Sequence, residues 1–141
     1  MSNLLPAPAG LQVEDTVVDG SSLTFIVKTT APTALCPDCG VASARVHSRY
    51  TRRPADLPGH GRTTRLVLTV RRFFCPTTDC PRRTFAERLP DLVAPHARAT
   101  ARLHQAHAAI GQALGGQPGA RLALCEQQRG LVGRCRLEAL R

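Results

Sequence analysis

The sequence predicts an α+β protein: a small β domain with an N-terminal β-hairpin, stapled by a metal ion, followed by C-terminal helices. Three observations predict it. Two β-rich runs flank an Asp-Gly turn at Asp19-Gly20, two proline-flanked cysteine pairs stand beside β-rich segments, and an Ala-rich stretch at 97–114 carries apolar residues at helical spacing. The chain is 141 residues long and 43% hydrophobic, but it has four Phe, one Tyr and no Trp to fill a core. A core this thin in a small domain calls for disulfides or a metal.

The elements follow in order. Residues 11–18 (LQVEDTVV) and 23–29 (LTFIVKT) read as the two arms of a hairpin, because Asp-Gly between such runs favours a tight turn. Pro32 ends the second arm and the first cysteine pair follows. Residues 44–63 read as a short extended piece over 44–49 and then a loop, broken by Pro54, Pro58, Gly59 and Gly61. Residues 64–74 (TRLVLTVRRFF) form the clearest strand, with Leu66, Leu68, Val70 and Arg72 on one face and Arg65, Val67, Thr69, Arg71 and Phe73 on the other. A change of character near Pro95 divides the chain into a β domain, 1–95, and a helical segment, 96–141. In that segment Leu103, His107, Ile110 and Leu114 make one stripe of a helix over 97–114, closed by Gly115-Gly116 and Pro118. Residues 119–141 read as weakly patterned helix.

Cys36 and Cys39 are followed, after 35 residues, by Cys75 and Cys80, giving C-x₂-C and C-x₄-C. Zinc takes four thiolates tetrahedrally. A two-residue spacer brings both sulfurs of a pair to one ion from a tight turn, and a four-residue spacer does so from a wider knuckle. Gly40 relieves the first turn, and Pro37 and Pro76 stiffen the residue after a ligand. Two knuckles facing each other at strand ends make a zinc-ribbon-like site for one structural Zn²⁺, whose net −2 Arg45, Arg71 and Arg72 are near enough in sequence to offset. His47 and His60 lie between the pairs and are the alternative ligands. A thioredoxin-like dithiol would need its C-x-x-C between a strand and a helix, a zinc deaminase would need H-x-E, and a catalytic zinc would keep an open position. None of these patterns is met. Cys125 and Cys135 have no partner pair.

Charge is strongly uneven. Residues 1–39 hold one Lys and four acids, whereas residues 40–141 hold 18 Arg and six acids. A positive field gathered into one part of a chain suits a polyanion, although an arginine-rich codon bias would give the same ratio. No run approaches a membrane span and no apolar leader is present, so neither a membrane nor secretion is expected and the cysteines are placed in a reducing cytoplasm.

Taken together, CPDCG, VHSRYTRRPADLP and RLVLTVRRFFCPTTDCPRRTFAERLP resemble the N-terminal zinc-finger region of the ISL-three insertion-sequence transposases. The likeness includes His47 to Tyr50, Asp56-Leu57-Pro58, Arg71-Arg72-Phe73 and Thr84 to Glu87, and it extends through PHARATARL to GGQPGARLA, over residues 11–123. The resemblance implies that Cys36, Cys39, Cys75 and Cys80 hold zinc and that 97–114 is the first helix of a helix-turn-helix. It also implies that the partner is double-stranded DNA at the element's ends, in a bacterial, nucleoid-associated setting. Arg49, Arg52, Arg53, Arg62, Arg65, Arg82, Arg83 and Arg88 are the candidate DNA contacts, since a guanidinium fork suits phosphate. Tyr50 and Phe85 either stack on DNA or fill the core.

From about residue 124 the sequence LCEQQRGLVGRCRLEALR departs from the expected recognition helix, and the carboxylates of a DDE catalytic domain do not appear. The expectation is a truncated, non-catalytic fragment. The alternative is a protein-interaction module that docks on or regulates an intact transposase through an exposed Leu103/Ile110/Leu114 stripe.

Overall fold

A computed structural model describes residues 10–121. The predicted hairpin forms: β1 (Leu11–Asp19) and β2 (Ser22–Thr29) pair antiparallel, with Asp19 opposite Ser22 across the turn and a bulge at Glu14. Strand β2 alternates as a half-buried strand should, burying Leu23, Phe25 and Val27. Next come β3 (Ala34–Leu35) and β4 (Ala42–Ser43), a two-stranded knuckle outside the main sheet.

The extended piece expected over 44–49 is found as the start of a strand, but the loop expected after it departs from expectation. Residues 44–63 form β5 (Val46–Arg52) and β6 (Ala55–Gly59), which lead into β7 (Arg62–Phe74), so the anticipated loop is mostly strand. The reason is local. Gly59 pairs with Arg62 across His60-Gly61, and both turn residues have positive φ (52° and 72°), as a type I′ hairpin turn requires. Gly61 takes that conformation freely and His60 is held in it. Pro54 lies between β5 and β6, where its missing N–H costs no ladder bond, while its carbonyl accepts from Leu66 N at 3.0 Å. Pro58 falls in the irregular stretch between Asp56 and Gly59.

Strand β7 organises the sheet. On one edge it pairs parallel with β2 and, further along, antiparallel with the short β8 (Thr84–Ala86); on the other it pairs antiparallel with β6 and then β5. It also serves two cores. Leu66, Leu68 and Val70 join Leu23, Phe25 and Val27 on one face, under a cover in which Val93 is buried and Leu89, Leu92 and Ala97 pack alongside. Phe73, of opposite parity, joins Cys36, Cys80 and Phe85 in a second cluster on the other face.

The helix begins later than its composition suggests. Residues 97–99 are non-helical, Ala99 bridges Ala55, and Thr100 caps α1 (Ala101–Leu114) by accepting from Leu103 N at 3.3 Å. Gly115 ends it, as expected. The stripe grades from buried to exposed: Leu103 is fully buried, His107 and Ile110 are half-buried, and Leu114 is exposed. Arg102 and Thr100 both bond Asp56 of β6, whose side chain is fully buried, so the start of α1 is fastened to the sheet. Residues 116–121 are helical again. There Gly119 packs on α1, and a Cβ at this position would stand 3.0 Å from Gly111 Cα. Cys125, Cys135 and the divergent tail lie outside the described residues.

Candidate metal centre and basic face

Each cysteine pair is set by its own turn. In the first, Cys36 N donates to Val41 O (3.0 Å) and Gly40 N to Cys36 O (2.8 Å), which folds Cys39 back toward Cys36 between β3 and β4. In the second, Cys75 leaves the end of β7, with its N–H bonded to Arg83 O (2.9 Å), and Cys80 N reaches Thr77 O at 3.3 Å. The knuckles meet. Cys36 Sγ lies 3.9 Å from Cys80 Sγ, Cys39 Sγ lies 3.6 Å from Cys75 Sγ, and all four sulfurs are within 4.8 Å of one another. Four thiolates at about 2.3 Å from a tetrahedral zinc stand about 3.8 Å apart. The donor set and its spacing therefore fit zinc, and the distances are far too long for disulfides, whose sulfurs sit about 2.05 Å apart.

The charge distribution fits as well. The Thr77 hydroxyl, 3.5 Å away, and then the Val41 N–H favour the Cys39 thiolate and hold it down to about 6. Cys80 is pushed up to about 12: an Arg82 N–H favours its thiolate, but burial and the three neighbouring thiols outweigh it. Burial also raises Cys75. Thiols this close do not ionise together unless a cation joins them, and a bound dication reverses that balance.

Neither alternative histidine enters the cluster. His47 sets its ring edge-on to Phe74 at 4.8 Å and bonds Ser48 Oγ, and His60 occupies the β6–β7 turn. The arginines expected to offset the centre are engaged elsewhere. Arg45 lies over Phe74, Arg71 holds Glu87 and Ala31 O, and Arg72 lies over Tyr50. Arg82 is the arginine in the field of the cluster: its own pKa is raised by Asp38, at 2.9 Å, and further by Cys36 and Cys80.

Two neighbouring clefts gather basic side chains. A cleft of about 400 Å³ is lined by Arg52, Arg53, Arg65, Arg98 and His96 around Pro54, and no Asp or Glu lines it. A neighbouring groove of about 340 Å³ shares Arg52 and His96 and adds Tyr50, Arg72, Arg82 and Arg88; its one carboxylate, Glu87, is bound by Arg71. Of the arginines singled out in the sequence, Arg52, Arg53, Arg65, Arg82 and Arg88 line these clefts. Arg49, Arg62 and Arg83 do not; Arg62 instead donates to Gly20 O. Arg72, Arg98 and His96 are additions that the sequence did not suggest.

Residues 32–80 match the family described as the zinc-finger of transposase IS204/IS1001/IS1096/IS1165, and the match ends on the fourth cysteine. This segment is similar to the zinc ribbon of ISL-three-type transposases. The ribbon binds one zinc through Cys36, Cys39, Cys75 and Cys80. Phe73 and Phe85, stacked with centroids 5.9 Å apart, form the apolar pad on which Cys36 and Cys80 rest. No curated protein and no solved structure matches the chain. Among the described residues no helix is long and apolar enough to cross a membrane.

Proposed function

We propose that this chain is the DNA-binding, non-catalytic part of a transposase: zinc fixes the ribbon, and the basic clefts grip the backbone of double-stranded DNA at the ends of the mobile element. One observation carries the reading. The larger cleft brings four arginines and a histidine together with no carboxylate to neutralise them. A cleft lined by one sign of charge focuses the field and draws in ions of opposite sign, which suits a polyanion. Arg52 also ties the cleft's two walls, donating to Ala94 O (3.1 Å) and Ala97 O (2.6 Å), so the basic groups sit on a braced surface.

The absence of cutting chemistry is part of the proposal. Among the described residues the cysteines are the one group of three or more potential metal ligands that converges, and Asp56 and Glu87 are committed to Arg102 and Arg71. Two-metal phosphoryl transfer needs carboxylates gathered on the ions.

Fluorescence anisotropy of a labelled duplex, titrated over a range of salt concentrations, tests the DNA reading. Six phosphate contacts, one for each of Arg52, Arg53, Arg65, Arg82, Arg88 and Arg98, give a log–log slope of about −5. Replacing Arg53 and Arg65 with alanine reduces that slope by about two. A slope near zero removes the nucleic-acid reading.

A further inference from the structure

We infer that the 340 Å³ groove beside Tyr50 is a seat for one unpaired nucleotide of single-stranded DNA, a specific site within the DNA-binding surface proposed above, on which the inference rests. The groove is where the covered face of the sheet runs out. Tyr50 pairs with Val70, and Arg52 with Leu68, so both project on the same face as the larger core but at its uncovered margin. Val70 and Val93 form an apolar floor, while Arg52, Arg72, Arg82 and Arg88 stand around it. An apolar floor, an aromatic wall and a cationic rim match a ligand with a flat, weakly polar body and an anionic tail. That description fits a nucleotide.

The dimensions favour an unpaired one. At about 340 Å³ the groove is at the small end of ligand sites, which run from about 300 to 1,000 Å³. Bases inside a duplex have both faces stacked on neighbours and none to offer a side chain, whereas single-stranded bases stack readily on exposed aromatic rings. Tyr50 remains 39% exposed on a strand whose neighbours bury their apolar groups, and its ring is approached by the Arg72 guanidinium at 5.8 Å from the centroid. A ring held open beside arginines is a stacking platform rather than a core residue. The groove also shares Arg52 and His96 with the larger cleft, so a strand leaving a duplex held there enters it directly.

The chain supplies its own reporter. Tyr50 is the one tyrosine and there is no tryptophan, so tyrosine emission reports on this groove alone. The full chain, loaded with zinc, is titrated with blunt duplex, with the same duplex carrying a five-nucleotide single-stranded overhang, and with free thymidine monophosphate. The proposal expects the overhang to quench Tyr50 emission and to bind more tightly than the blunt duplex. It also expects Tyr50→Leu to weaken overhang binding about 5- to 100-fold while Tyr50→Phe preserves it. Binding of both duplexes with equal affinity and no quenching overturns the groove but leaves the duplex reading standing. Quenching by free thymidine monophosphate at the same concentrations as the overhang overturns the assignment to a DNA strand. Failure to bind any nucleic acid removes the reading on which the groove rests. A folded Tyr50→Leu chain that binds the overhang as wild type does also overturns it.

Discussion

Cys36 and Cys39 are two residues apart and supply the same ligand atom, yet they occupy opposite surroundings. Cys36 is buried with Phe73, Phe85 and Cys80, and Cys39 is exposed beside Thr77. A serine at 36 loses a ligand and also leaves a hydroxyl in an apolar pocket with nothing to bond. A serine at 39 loses a ligand where water can take the fourth position. We therefore expect Cys36→Ser to abolish zinc retention and folding of the ribbon, while Cys39→Ser keeps one zinc per chain and melts at a lower temperature. Native mass spectrometry read beside the melting curve decides this, and equal zinc loss in both variants would show that burial does not distinguish the ligands. The cysteines were legible in the sequence because metal-ligand spacing is a local signal. Their inequality was not, because it depends on where β8 places Phe85.

At the scale of elements, the attachment of α1 to the sheet turns on Asp56. Its carboxylate is fully buried and accepts from Thr100 Oγ1 at 2.7 Å and Arg102 Nε at 2.6 Å, whereas the Arg102 side chain keeps 32% exposure. The two halves of this pair are therefore not equivalent to remove. Arg102→Ala strands a buried charge with a single hydroxyl partner, at a cost of about 3–5 kcal/mol. Asp56→Ala leaves a guanidinium that turns to water, at a cost of about 1–3 kcal/mol. Urea denaturation of the two variants should rank Arg102→Ala as the less stable, and the reverse order would mean that Asp56 is held mainly by other groups. Sequence reasoning found the hairpin and β7 through alternation and an Asp-Gly turn, but it read β6 as loop. His60-Gly61 lacks the usual Asn or Asp at a type I′ turn, and Pro54 just before the strand and Pro58 in its irregular stretch read as breakers. It started the helix at Ala97 because Ala and Arg favour helix, although Thr100 is the cap and no acid marks the first turn. The basic clefts were half legible. Their arginines stood out by composition, but the walls form only when residues 93–98 fold back on β5, a contact that leaves no periodic trace in the sequence.

For the whole molecule, the decisive feature is that one 13-residue strand serves two cores on opposite faces, and only one of them contains the metal. The zinc-side cluster has two phenylalanines, which contribute about 3–6 kcal/mol by burial. That is well short of the roughly 10–16 kcal/mol that zinc supplies to small zinc domains. The other cluster buries seven apolar residues along β2, β7 and the covering segment, with no ligand among them. Ordering a residue costs about 1–2 kcal/mol, so the knuckles have too little burial of their own to stay folded once the ion leaves. Chelation should therefore divide the molecule. Hydrogen exchange read by mass spectrometry, before and after treatment with 1,10-phenanthroline, should show protection lost over 32–45 and 73–86. Protection should persist where β2 runs parallel to β7, between residues 22–28 and 63–69. Under the DNA reading proposed above, affinity for duplex should fall with the knuckles, since Arg82 and Arg88 flank the strand that follows the fourth cysteine, while the contribution proposed for Arg53 and Arg65 should survive as a residual, shallower salt slope. Loss of protection everywhere at once would show that the two cores are a single cooperative unit and that β7 transmits the metal's stabilisation along its full length.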